Sequence, residues 1–132
     1  MKRYAIIGLF LAMSIACNNE NRQIEKAADG YLMAVSLYDI DGAEAYCTEE
    51  TQETTLKTAR QLLQMVDSAF FEQDKPVKID IMSVHCTSDT TATVQYHKTT
   101  PIKDFADTLE MRKRDGKWLA HSPMIKNNVA AQ

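Results

Sequence analysis

The side chains best suited to do chemistry in this sequence are one carboxylate and a set of tyrosines. Asp107 is predicted to share a strand face with apolar residues, near Tyr31, Tyr38 and Tyr96. A carboxylate held among tyrosines loses hydration, which suits it to act as a general base. The alternative interpretation is that Asp107 is solvated at the rim, and that the tyrosines are core residues whose hydroxyls reach its edge. Both interpretations need elements that bring these residues to one end of the fold.

Other catalytic and metal-binding patterns are missing from the sequence. It contains no Ser-His-Asp or Cys-His arrangement, no glycine-rich phosphate loop, and no Cys-x-x-Cys or His-x-x-x-His spacing. The three histidines, His85, His97 and His121, share no predicted face. We therefore expect neither a metal site nor a cofactor.

Length and composition predict one folded domain. The chain has 132 residues, of which 45% are hydrophobic and 25% charged, and this excludes a disordered or collagen-like protein. Its net charge is −3; without the first sixteen residues, 13 basic and 18 acidic residues remain, a net charge of −5. An acidic chain does not favour nucleic acid as a partner, because such binding needs a basic face.

The first seventeen residues predict export and lipid attachment. Lys2 and Arg3 precede thirteen uncharged residues, which is typical of a secretory signal and too short for a transmembrane span. Ser14-Ile15-Ala16-Cys17 resembles the bacterial lipobox, and this resemblance implies that Cys17 is acylated and anchors the protein in a membrane. Asn18 next to it favours the outer membrane. The alternatives are an ordinary signal peptide or a buried helix.

The two cysteines beyond Cys17 form a candidate disulfide. Cys47 and Cys86 are an even pair in a chain predicted to reach an oxidising compartment. Alternatively, each is a small buried hydrophobic residue, as free cysteine often is.

Hydrophobic spacing predicts an α+β fold, with three N-terminal helices packed on a four-stranded antiparallel sheet. Apolar residues recur at three- and four-residue steps from Arg22 to Tyr38 and again after Thr48, and Asp41 is the predicted N-cap of a short helix between them. From Val77 onwards the apolar period is two. The predicted divisions are a signal peptide at 1–16, a lipidated cysteine and tether at 17–21, one domain at 22–125 and a tail at 126–132.

Turn chemistry predicts the register of the last two strands. Asp115-Gly116 is a type I′ hairpin sequence, which places Lys113 opposite Trp118 and Glu110 opposite His121, the latter as a cross-strand ion pair. A change of apolar parity near Met82-Ser83 predicts a β-bulge.

Three strings of the sequence are similar to lipoproteins of Bacteroides-like bacteria that carry a nuclear transport factor two-like domain, also called cystatin-like or SnoaL-like. The strings are Ala28-x-x-Tyr31-Leu32-x-Ala34, Asp39-x-Asp41-x-Ala43-x-x-Tyr46 and Leu109-x-Met111-x-Lys113-x-Asp115-Gly116-Lys117-Trp118. The resemblance implies a curved sheet that wraps a long helix into a cone with a cavity at one end. Within it the candidate pocket residues are Tyr31, Tyr38, Tyr96, Met111 and Trp118.

Because such folds serve many functions, the resemblance does not choose one. We expect a non-catalytic, lipid-anchored module that holds a small apolar ligand in the cone, or presents its open sheet face to an envelope protein or a second copy. The alternative is an isomerase-, cyclase- or dehydratase-like enzyme that uses Asp107 on a small apolar substrate.

Overall fold

The computed structural model describes residues 20–124. The predicted signal peptide, Cys17, most of the tether and the tail at 126–132 lie outside the described residues. No helix within 20–124 has the length and apolarity needed to cross a membrane.

The described chain is α+β, with helices before a single four-stranded antiparallel sheet, as predicted. The helices are α1 (20–36), α2 (Ile40–Glu44), α3 (Glu49–Thr51), α4 (Lys57–Met65) and α5 (Ser68–Glu72), with a π-helical turn at Gln52–Leu56 between α3 and α4. The strands are β1 (Lys78–Cys86), β2 (Thr91–Thr99), β3 (Asp104–Arg114) and β4 (Lys117–Ala120).

Helix α1 supplies the helical half of the core. Its buried side chains recur at three- and four-residue steps, so they form one stripe along the helix. They belong to a single hydrophobic cluster with the inward side chains of the sheet. The α1 members of the cluster are Ile24, Ala28, Tyr31 and Leu32, and the sheet members are Ala92, Val94, Tyr96, Leu109, Met111, Trp118 and Ala120.

Glu20 ties one end of α1 to the β3–β4 hairpin. Its Oε2 accepts a 2.6 Å hydrogen bond from the indole N–H of Trp118, and its Oε1 lies 2.8 Å from Nζ of Lys113. The hydrogen bonds from Lys113 and Trp118 lower the pKa of Glu20. The helix is therefore held against the sheet by polar contacts as well as by its apolar stripe.

The sheet is a meander in the order β1-β2-β3-β4, and the register of β3 with β4 matches the sequence prediction. Pairing shifts between Ile81 and Ser83, which confirms the bulge. Asp115 and Gly116 both adopt positive φ, 53° and 76°, as a type I′ turn requires. Lys113 consequently pairs with Trp118.

The predicted third helix is divided, and the predicted N-cap of the second is wrong. Val66 adopts extended backbone, and Asp67 starts α5 by accepting a hydrogen bond from the Ala69 N–H through Oδ1 at 3.2 Å. Phe70 is 59% exposed, so it follows the apolar spacing of the predicted helix without packing in the core. Asp39, and not Asp41, caps α2, because its Oδ1 accepts from the Gly42 N–H at 3.1 Å.

The predicted disulfide between Cys47 and Cys86 is wrong, because the sheet holds the two residues apart. Cys86 pairs with Ala92 on the next strand, and the same row continues through Met111 and Ala120 to Cys47. Cys86 and Cys47 are therefore four steps between neighbouring strands apart, and each step is about 4.8 Å. A disulfide needs the two Cα atoms to lie within about 7 Å of each other. Cys47 is buried, and the Sγ of Cys86 lies 3.6 Å from Oδ1 of Asn21.

The segment at 46–48 runs parallel to β4. The Ala120 N–H donates to the Tyr46 carbonyl at 2.7 Å, and the Thr48 N–H donates to the Ala120 carbonyl at 2.9 Å. This short segment satisfies backbone groups that β4 would otherwise leave open at the edge of the sheet.

A buried threonine–histidine network joins the chain after β4 to the start of α3. The Thr48 hydroxyl is 2.9 Å from Nδ1 of His121 and 2.8 Å from the Thr51 hydroxyl, which in turn accepts from the Ser122 N–H. Burial lowers the pKa of His121, and the positive charge of Arg112 lowers it further.

The predicted ion pair between Glu110 and His121 is wrong, because the His121 side chain belongs to this network. Glu110 pairs instead with Arg112 on its own strand, at 3.1 Å. The His121 side chain turns towards Thr48, and only its backbone N–H donates to the Glu110 carbonyl.

We expect His121 to make the protein less stable as pH falls below about 6.5. The pKa of His121 is lowered in the folded protein, so as pH falls the imidazole takes up a proton in the unfolded chain first. The free energy of unfolding is therefore highest above about pH 6.5 and decreases as pH falls through the pKa of the folded state. His121→Gln should flatten this dependence between about pH 5 and pH 7, at a cost of about 1 kcal/mol at pH 7.5 for one hydrogen bond. Urea unfolding at a series of pH values measures both effects.

The matched control is His85→Gln, since His85 is exposed on β1. An unchanged pH dependence in His121→Gln, or an equal change in His85→Gln, would contradict the assignment.

Candidate functional site

The concave face of the sheet is fully buried at one end and only partly buried at the other. Met111 and Trp118 lie at the fully buried end. At the other end, β1, β2 and β3 place Ile79, Lys98 and Phe105 in one row, with Ile79 and Phe105 only partly buried. We call this partly buried cluster the mouth and define it by Tyr38, Phe71, Asp74, Lys98 and Phe105.

Tyr38 forms the helical wall of the mouth. It follows α1 with a φ of 61°, a left-handed conformation that a non-glycine residue keeps only where surrounding contacts enforce it. Its hydroxyl donates to Oδ2 of Asp74 at 2.5 Å, and its ring centroid lies 4.3 Å from that of Phe71. These contacts fix an aromatic face where α1 ends.

The surroundings of Tyr38 also change the pKa of its hydroxyl. Burial, followed by the hydrogen bond to Asp74, raises the pKa of Tyr38 to about 12. The phenol therefore keeps its proton at neutral pH and is the donor of the hydrogen bond to Asp74.

Lys98 is the cation of the mouth. The register places it between Ile79 and Phe105, and its Nζ lies 6.0 Å from the centre of the Phe105 ring. Burial lowers the pKa of Lys98, the charge of Asp74 opposes this effect, and that of Lys103 adds to it. An oxygen atom of a ligand at Lys98 would offset part of this desolvation.

The structure places Asp107 at the exposed rim. It pairs with Tyr96 across β2 and β3, but its side chain is open to solvent and its Oδ1 accepts from the Thr108 N–H at 2.8 Å. Tyr96 itself is buried; burial and then the charge of Asp107 raise its pKa. This arrangement corresponds to a solvated carboxylate beside a core tyrosine.

The predicted pocket residues do not gather at one place. Tyr31, Tyr96, Met111 and Trp118 are buried members of the core, and Tyr38 alone among the five lies at the mouth. Burial, with smaller contributions from Cys47 and Tyr96, raises the pKa of Tyr31 to about 12. The interior of the cone is thus occupied by its own side chains.

Sequence reasoning missed Phe71, Asp74 and Lys98 as members of a site. Lys98 continues the alternation of Val94 and Tyr96 along β2, and that parity is a signal for its inward position. Asp74 could only be interpreted as part of a helix stop, because its partner Tyr38 lies 36 residues earlier. Within residues 20–124, no group of three or more His, Cys, Asp or Glu side chains is arranged to hold a metal ion.

Comparison with solved structures shows the same fold in a protein of different sequence. A ketosteroid isomerase-like protein from Erwinia carotovora atroseptica SCRI1043 superposes with a TM-score of 0.51 at 21% identity, over 78% of this chain and 92% of that one. At this identity the likeness concerns the fold. No curated protein gives a significant match to the chain.

A family profile covers most of the sequence. The family described as "Putative lumazine-binding" matches residues 19–122, which includes nearly all of the described α+β domain. Together with the ketosteroid isomerase-like neighbour, this match supports a nuclear transport factor two-like domain. The chain belongs to the family described as "Putative lumazine-binding".

Proposed function

We propose that the protein is a lipid-anchored module of the cell envelope that binds a small planar heteroaromatic ligand of the lumazine class. The observation that carries this proposal is the mouth, where aromatic rings, a half-buried lysine and a carboxylate converge at the partly buried end of the concave face. A few polar groups among apolar walls are typical of sites for small ligands.

The chemistry of a lumazine complements these side chains. Its fused rings present flat faces, which the rings of Tyr38, Phe71 and Phe105 can contact. Its edge carries carbonyl oxygens and N–H groups. Lys98 donates to a carbonyl oxygen, and Asp74 accepts from an N–H while it holds Tyr38 in place.

Binding without chemistry fits the mouth better than an isomerase-like reaction at Asp107. A general base needs an environment that sets it apart from an ordinary surface carboxylate. Asp107 is exposed, and it is hydrogen-bonded to the adjacent backbone N–H.

The proposed anchor depends on the first seventeen residues. The cationic start, the uncharged run and Ser14-Ile15-Ala16-Cys17 together support acylation of Cys17, and Asn18 supports outer-membrane placement. A partner or second copy on the outer face of the sheet stays a prediction.

Lumazine should bind the full-length protein, and Lys98→Met should weaken this binding. Loss of one hydrogen bond from a charged donor is worth about 1.5–3 kcal/mol, or roughly 10- to 100-fold in Kd. Titration that follows the intrinsic fluorescence of lumazine measures the Kd of both proteins.

The control for that titration is Lys78→Met, which removes a lysine from β1 whose side chain is 73% exposed. The two variants should differ clearly in Kd. Absence of lumazine binding to the wild type, or equal affinities in both variants, would contradict the proposed site.

Acylation is tested separately, by metabolic labelling with an alkyne fatty acid. The wild-type protein should be labelled and Cys17→Ser should not, because the resemblance implies that the acyl chains attach at Cys17. Cys86→Ser, which alters an exposed cysteine of the folded domain, should be labelled like the wild type. Equal labelling of wild type and Cys17→Ser would refute the anchor.

A further inference from the structure

A cavity lies at the end of the cone opposite the mouth. It has a volume of about 380 Å³ and is bounded by α1, by Tyr46 and by the β3–β4 hairpin. Its described lining residues are Gln23, Lys26, Ala27, Tyr46, Gly116, Lys117 and Trp118.

The walls of this cavity are apolar and aromatic. Tyr46 is 36% exposed, and its ring lies directly over Gly30, where an added Cβ would be 2.5 Å from Cε1. A glycine on α1 therefore makes room for the ring that forms one wall. Trp118 forms another wall, and its indole N–H is already bonded to Glu20.

The polar side chains that line the cavity include several hydrogen-bond donors. Lys26 and Lys117 are exposed lysines, Gln23 carries an amide, and no carboxylate is among the described residues that line the space. Nζ of Lys117 donates to the carbonyl of Ala45, which lines a neighbouring groove, at 3.2 Å, so Lys117 lies on the border between the groove and the cavity. The neighbouring groove shares Lys117 with the cavity and is also lined by Glu44 and Glu49, so these two carboxylates lie outside the cavity lining.

The cavity lies close to the predicted site of lipid attachment, Cys17. Two residues, Asn18 and Asn19, separate Cys17 from Glu20, so the Cα atoms of Cys17 and Glu20 lie at most about 11 Å apart. Glu20 is bonded to Trp118 in the cavity wall. If Cys17 is acylated, this end of the domain stays within reach of lipid headgroups.

We infer that the cavity formed by Lys26, Tyr46, Lys117 and Trp118 binds the phosphate-bearing headgroup of an anionic membrane phospholipid. The two lysines and Gln23 surround the phosphate, while Tyr46 and Trp118 contact the glycerol and the first methylenes of the acyl chains. The inference rests on the proposed lipid anchor, and it assigns the anchored protein an orientation with this end against the membrane.

Trp118 is the only tryptophan of the chain and therefore reports on its own cavity. We would express the full chain, purify the protein from the membrane fraction, and place it in vesicles whose acyl chains carry bromine near the headgroup. One set of vesicles contains phosphatidylcholine alone, and the other also contains phosphatidylglycerol. Trp118 should be quenched more strongly in the second set.

Lys26→Gln and Lys117→Gln should each raise the phosphatidylglycerol fraction needed for half-maximal quenching, by about fivefold. The matched controls, Lys57→Gln and Lys78→Gln, remove exposed lysines outside the cavity lining and should leave that fraction unchanged. Circular dichroism of each variant verifies folding.

Three results would overturn the headgroup site. These are equal quenching with and without phosphatidylglycerol, equal effects of cavity and control variants, and a change in Trp118 emission with inorganic phosphate alone that matches the change with vesicles. The last result would assign the cavity to a free anion. The intact mass of the same preparation reports acylation, so a failed anchor is distinguished from a failed headgroup site.

Discussion

The described fold depends on how helix α1 is held across the concave face of the sheet. Its apolar stripe packs on the sheet core, and a polar contact fastens each end. At one end, Glu20 bonds to Trp118 and Lys113; at the other, Tyr38 bonds to Asp74. Since seventeen helical residues span about 25 Å, these contacts separate two ends with different environments.

That separation lets one small domain present two kinds of surface. The end held by Glu20 follows the chain segment that carries Cys17, and it offers lysines beside aromatic rings. The end held by Tyr38 offers the mouth, with Lys98 as its cation. In the proposed arrangement the membrane meets the first end, and a soluble ligand reaches the second without crossing the lipid surface.

Local chemistry made much of the fold predictable, whereas distant contacts did not. Asp115-Gly116 predicts its hairpin because a two-residue turn dictates the pairing on both sides. The mouth depends on the contact between Tyr38 and Asp74, far apart in the chain, and no spacing pattern signals it. The predicted link between Cys47 and Cys86 failed for the same reason, since only the complete sheet shows how many strands lie between them.

A crystal structure of the protein grown with lumazine would show where the ligand binds. Lumazine should lie in the mouth, with its rings against Phe105 and Tyr38 and a carbonyl oxygen within hydrogen-bonding distance of Nζ of Lys98. Lumazine in the cavity beside Trp118, or an empty mouth at a saturating lumazine concentration, would contradict the proposed site in the mouth.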